Sequence, residues 1–104
     1  MADALRGFTI DRRGIGFVGR DLQRPECILA ERDGTLWAAD ARGGVVRIAP
    51  DGAQAIVTQT EAAQFAGAAS DAERFVAGTL PNGLAFAANG DLLIANFGTD
   101  RLEI

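Results

Sequence analysis

Apolar positions in this chain fall in short runs broken by Gly, Pro, Asp and Asn, the cadence of brief strands and tight turns. Phe8-Thr9-Ile10 and Ile15-Gly16-Phe17-Val18 read as two strands around a turn at Arg12-Arg13-Gly14. Cys27 to Ala30 is a short apolar strand, and Asp33-Gly34 supplies a two-residue hairpin turn that tolerates positive φ. Leu36 to Ala39 returns, Arg42-Gly43-Gly44 turns again, and Val45 to Ile48 forms the next strand. Counted across that two-residue turn, Asp40 lies opposite Cys27. Pro50-Asp51-Gly52 turns once more, into Gln54 to Thr58. Four antiparallel strands in succession are the content of one propeller blade. The Ala-rich stretch from Gln59 to Glu73 lacks clean alternation and reads as a single helical turn or a loop bridging two blades, with the loop favoured. Arg74 to Leu80 reads as extended, and at Pro81 the pattern restarts, with Asn89-Gly90 as its hairpin turn.

The restart is a repeat. Arg24 to Ile48, RPECILAERDGTLWAADARGGVVRI, lies over Leu80 to Ile104, LPNGLAFAANGDLLIANFGTDRLEI, without a gap. Pro25 then meets Pro81, Gly34 meets Gly90, Leu36 meets Leu92, Ala39 meets Ala95 and Ile48 meets Ile104. Asp33 and Asp40 recur as the amides Asn89 and Asn96, and Glu26 as Asn82. Repeated units of this kind cannot bury an apolar face alone and stack on one another. The expected fold is all-β and propeller-like: about two four-stranded antiparallel blades in one partial domain spanning 1–104. The blade-like units cover about 20–58 and 74–104, with a bridge at 59–73. On the gapless alignment the second unit stops after its third strand, unless Phe8 to Val18 or another chain supplies the fourth.

Composition narrows the chemistry. Histidine is absent, which removes imidazole bases and imidazole metal ligands. Lysine and tyrosine are absent too, so amine and phenol chemistry go with them. One cysteine, Cys27, excludes an internal disulfide and a multi-thiolate zinc site. A net charge of −4 with ten scattered arginines disfavours nucleic acid and anionic membranes. No apolar run approaches the roughly 18 residues a membrane span needs, and no basic-apolar leader opens the chain. A soluble, cytoplasmic protein is expected. Its chemistry must run on carboxylates, amides, Arg or a hard metal ion.

Gly14-Ile15-Gly16-Phe17-Val18-Gly19 matches the dinucleotide pattern G-x-G-x-x-G, but no helix can open between Gly19 and Pro25. A turn is the better reading. Glu26 and Asn82 are the leading candidates for function. Each follows a proline closely at the start of an inner strand, where successive blades converge on the propeller axis. A carboxylate and an amide oxygen brought together suit Ca²⁺, bound by oxygens at about 2.3–2.6 Å, with Zn²⁺ or Mg²⁺ as alternatives. The competing reading makes both of them polar groups satisfied by backbone donors or solvent. Asp40 and Asn96 end the second strand of each copy, placed either to cap the next turn or to contact substrate. Arg24 could reach an anionic substrate. Cys27 reads as a small buried thiol, and Trp37 with Leu93 as packing core.

RPECILAERDGTLWAADARGGVVRIAPDG resembles the first blade of the senescence marker protein / gluconolactonase / luciferin-regenerating enzyme family. LPNGLAFAANGDLLIANFGTDRL resembles that family's recurring P-N-G-L-A…G-x-L-x-x-A-N-x-G unit. Together the two stretches cover about half of the chain. The resemblance implies a six-bladed β-propeller with one divalent cation in its channel and hydrolysis of a small lactone. Family enzymes bind the ion through Glu, Asn and Asp side chains. By motif, Glu26 matches the glutamate ligand, and Asn82 matches an asparagine that contacts metal or substrate. Cys27-Ile28 replaces the family's usual Gly-Pro, and the aspartate ligand and base of later blades have no counterpart. A non-catalytic binding module or an inactive fragment, self-associating through open blade edges, is the alternative.

Overall fold

The computed structural model describes residues 6–58, 70, 72, 73 and 80–104. It is all-β, built from two antiparallel sheets. Strands β1 (Ile28–Ala30), β2 (Leu36–Asp40), β3 (Gly44–Ile48) and β4 (Gln54–Thr58) pair in chain order, as do β5 (Pro81–Phe86), β6 (Leu92–Asn96) and β7 (Arg101–Glu103). The expected bridge lies almost entirely outside the described residues, as does the extended run before Leu80. Among the described residues no helix is long and apolar enough to cross a membrane.

Three of the turns are built alike. Glu31, Ala49 and Ala87 each donate their N–H to the carbonyl four residues on, at 2.8 Å, across a three-residue loop. Each loop ends in a left-handed glycine, Gly34, Gly52 or Gly90, at φ 94°, 88° and 92°. The Asp or Asn before that glycine accepts the N–H two residues on: Thr35 to Asp33 at 2.8 Å, Ala53 to Asp51 at 2.9 Å and Asp91 to Asn89 at 3.1 Å. This is a type I turn closed by a glycine bulge, so the expected two-residue hairpin at Asp33-Gly34 is corrected to three residues. The extra residue slips the register by one. Cys27 therefore faces Ala39, whose N–H it accepts at 3.0 Å, and does not face Asp40. Gly34→Ala is expected to cost about 1–2 kcal/mol, because a Cβ opposes the left-handed backbone. A shift in urea midpoint against wild type checks it.

The core lies between the two sheets. Ala39, Val45 and Leu84 form its buried centre, with Cys27, Leu29, Trp37, Leu92 and Ile94 packed against it. Alternation explains the choice: Cys27 and Leu29 face inward while Ile28 and Ala30 are exposed. Trp37 also donates its indole N–H to Glu31 at 2.9 Å, and Arg47 stands 5.9 Å from its ring centre.

The leader departs from expectation. Phe8–Ile10 and Ile15–Val18 form no strands, and Arg12–Gly14 is a 3₁₀ turn capped by Asp11, which accepts the Arg13 N–H at 2.9 Å. A lone two-stranded hairpin is marginal without a third partner, and among the described residues no other strand pairs with this segment. Phe8, Ile10, Ile15, Phe17 and Val18 stay more than half exposed. Farther on, Arg20 and Gln54 exchange two hydrogen bonds, and Ala41 donates to the Gln23 carbonyl at 2.8 Å. Residues 19–23 thus fasten to the far side of the first sheet, with Leu22 and Ile48 both beside Gly19.

Candidate functional site

In both sheets the first strand starts on a kink anchored by backbone bonds. In the first sheet, Ala41 donates to the Gln23 carbonyl at 2.8 Å and Ala39 to the Cys27 carbonyl at 3.0 Å. Arg24, Pro25 and Glu26 bulge out between these anchors, with Arg24 left-handed at φ 51°. In the second sheet, Phe97 donates to the Leu80 carbonyl at 2.9 Å, and the register shifts between Pro81 and Gly83. Asn82 occupies that bulge. Proline favours the departure in both copies because it has no N–H to give the ladder. Bulges of this kind re-aim a side chain out of the strand's alternation.

Glu26, just before β1, and Asn82, inside β5, are both exposed, and β1 and β5 touch one another. Glu26 is not idle: its carboxylate meets the Arg24 guanidinium at 3.2 Å. Asn82 lines an open depression together with Phe97, Asp100, Arg101 and Leu102. Cys27 lies half-buried behind Glu26, its Sγ 3.9 Å from the Leu84 carbonyl oxygen. Among the described residues, no three His, Cys, Asp or Glu side chains gather as metal ligands. The donors present fit a hard cation in kind, since a carboxylate and an amide offer oxygens, but are fewer than the roughly 6–8 oxygens Ca²⁺ takes.

Asp40 and Asn96 share a different role. Each accepts the N–H two residues on, Arg42 to Asp40 at 2.9 Å and Gly98 to Asn96 at 3.0 Å, and so caps the turn that follows. Asp40 is fully buried. It also accepts the Gln23 N–H at 3.0 Å and two bonds from the Arg42 guanidinium at 2.8 Å. Burial pushes its carboxyl upward, but the bonds from Arg42 and Gln23 outweigh this and hold it below the usual carboxylate range. Arg42 is raised in turn by the same pair, and reaches on to the Asp21 carbonyl at 3.0 Å. In the second copy the polarity reverses: Asn96 donates its amide to Glu103 at 3.1 Å. Sequence reading placed the two capping residues but missed Arg42 and Glu103, their ionic partners. The signal was present, since the neutral Asn96 in place of Asp40 calls for an acceptor in place of a cation.

The two loops also differ in length. Asp40 pairs with Gly44, whereas Asn96 pairs with Arg101, one residue farther along. The gapless alignment therefore holds only to Asn96. Asp100, left-handed at φ 54°, takes the place of Gly43, and Arg101 the place of Gly44. Ile104 then corresponds to Arg47, not to Ile48. A scan of family models, a search of curated proteins and a search of solved structures each return no match for this chain.

Proposed function

We propose that this chain is part of a gluconolactonase-like β-propeller whose complete form hydrolyses a small lactone with the help of a divalent cation. The observation that carries the reading is the break in the ladder before each first strand settles, three residues between the Gln23 and Cys27 anchors and a one-residue register shift between Pro81 and Gly83, which sets one oxygen-bearing side chain, Glu26 or Asn82, at each break. The family resemblance of these same two segments supplies the substrate class. Glu26 and Asn82 would hold the cation, Ca²⁺ before Zn²⁺ or Mg²⁺. Such an ion supplies Lewis acidity at a lactone carbonyl. Arg24, now paired with Glu26, is released when a cation takes over the carboxylate, and can then turn to an anionic group of the substrate. Two donors leave coordination sites for oxygens from further blades.

Calorimetric titration of the chain with Ca²⁺ tests this directly. Glu26→Gln is expected to weaken binding by about tenfold or more, since it removes the only formal charge among the two donors. Arg24→Ala is expected to tighten it, because the competing guanidinium is gone. Equal affinity in wild type and Glu26→Gln would remove the metal role, and the hydrolase reading with it. The reading of the chain as a non-catalytic module would then stand.

A further inference from the structure

We propose that Arg42 is a positioning residue for Glu26: through Asp40 and Asp21 it fixes residues 21–23, and so forces Arg24, Pro25 and Glu26 into the strained turn that presents the Glu26 carboxylate. The consequence for cation binding rests on the reading given above; the positioning itself does not. A surplus of chain is the first observation. Gln23 accepts the Ala41 N–H at 2.8 Å, and Cys27 accepts the Ala39 N–H at 3.0 Å. Between those anchors one side of the ladder has a single residue, Asp40, while the incoming chain has Arg24, Pro25 and Glu26. The excess must leave the ladder, and Glu26 leaves with it. Its N–H turns back around Pro25 to the Arg24 carbonyl at 2.9 Å.

Strain is the second observation. Arg24 is left-handed at φ 51°, although it has a Cβ and precedes a proline, which pushes its neighbour toward extended backbone. Asp21 is left-handed as well, at φ 50°. Such conformations persist only where the surroundings over-determine them. The Arg42 guanidinium does this. Its Nε meets Asp40 Oδ1 and its Nη2 meets Asp40 Oδ2, both at 2.8 Å, while Nη2 also reaches the Asp21 carbonyl at 3.0 Å. Asp40 Oδ2, held in this way, accepts the Gln23 N–H at 3.0 Å, and the Gln23 amide donates to Asp21 at 3.0 Å. The chain before Arg24 is thereby tied at Asp21 and Gln23 and does not slide back to absorb the surplus. The second copy supplies the contrast. There Asn96 donates to Glu103 instead of receiving a guanidinium, no residue from 80 to 86 is left-handed, and Asn82 lies inside β5.

The test reads position and not stability, on the full chain, with Arg42→Met, which keeps the stem of the side chain and removes every donor. The Arg24 Cα chemical shift is expected to move from its left-handed value toward the extended one. Ca²⁺ affinity, measured by calorimetry on the folded variant, is expected to fall about tenfold, as it does when a group that orients a ligand is lost. Gly34→Ala, destabilising at a distant turn, is the control and should leave both readings at their wild-type values. If Arg42→Met loses the parent's circular dichroism, Arg42→Lys takes its place, since an ammonium has no planar fork to bond Asp40 and the Asp21 carbonyl together. An extended Arg24 in wild type would overturn the proposal, as would a wild-type Arg24 shift in the Arg42 variant. A moved shift with unchanged Ca²⁺ affinity would overturn the link to Glu26. Wild type that binds no Ca²⁺ removes the cation reading instead, and the Arg24 shift alone then decides whether Arg42 holds the turn.

Discussion

Asp40→Ala is expected to lower the stability of the fold by about 3 kcal/mol, read as a fall in urea midpoint at unchanged slope. Three losses converge on one side chain. The Arg42 guanidinium loses two bonds of 2.8 Å, the Gln23 N–H loses an acceptor at 3.0 Å, and the turn to β3 loses its cap. Gln23 matters most for the architecture, because its bond to Asp40 helps fasten residues 19–23 across the first sheet. Asp40→Asn separates the contributions. An amide can still accept the Arg42 N–H, as Asn96 accepts that of Gly98, so the cap survives and the ion pair does not. Its expected loss is about half that of the alanine variant. Equal stability of wild type and Asp40→Ala would show that the leader and the turn hold without the carboxylate.

The same residue sets a pH dependence. Its carboxyl is held lower in the folded chain than in the unfolded one, so the unfolded chain binds the proton more readily. The stability it contributes is present above the unfolded value and is lost as pH falls through the folded value. Wild type should therefore lose stability below about pH 5, and the gap between wild type and Asp40→Asn should close as the pH drops. Denaturation curves collected between neutral and acid pH read both effects.

How much of this could be seen beforehand depends on the range of the interaction. Strands β2 to β4 were legible because their apolar runs end at Gly, Pro and Asp residues that act on the nearest backbone. The identity of those turn residues was legible, but the loop length was not: Asp33-Gly34 serves a two-residue or a three-residue hairpin, and only the ladder decides between them. That one residue moved Asp40 away from Cys27. The leader misled for the opposite reason. Phe8, Ile10, Phe17 and Val18 have strand-like side chains but, among the described residues, no third strand to pair with, and pairing is not a local property. The candidate site was half visible. Pro25 and Pro81 marked the place where the ladder breaks, while the bulge and the Arg24–Glu26 ion pair depend on anchors at Gln23 and Leu80 whose side chains say nothing of them.

Gly44→Ala is the second large effect, again about 3 kcal/mol, and its cause is space, not backbone angle. A Cβ built at Gly44 would overlap the Val57 carbonyl oxygen and stand 2.8 Å from the Thr58 Cα, both of them backbone of β4. Neither can turn aside as a side chain would. The sheet must therefore part between β3 and β4, where Gly44 faces Thr58 and Val45 faces Val57. Hydrogen exchange should locate the damage: amides of residues 54–58 lose protection first, ahead of those in β2. Gly43, its neighbour, answers to a different demand. It is left-handed at φ 103°, and the second copy meets that demand with Asp100, so Gly43→Asn is expected to cost less than about 1 kcal/mol. Two adjacent glycines thus give opposite results for separate reasons. The second copy supports the assignment, because Arg101 stands in the place of Gly44 and no strand beyond β7 pairs there among the described residues. Wild-type protection of β4 in Gly44→Ala would mean that β3 and β4 have more room than their packing shows.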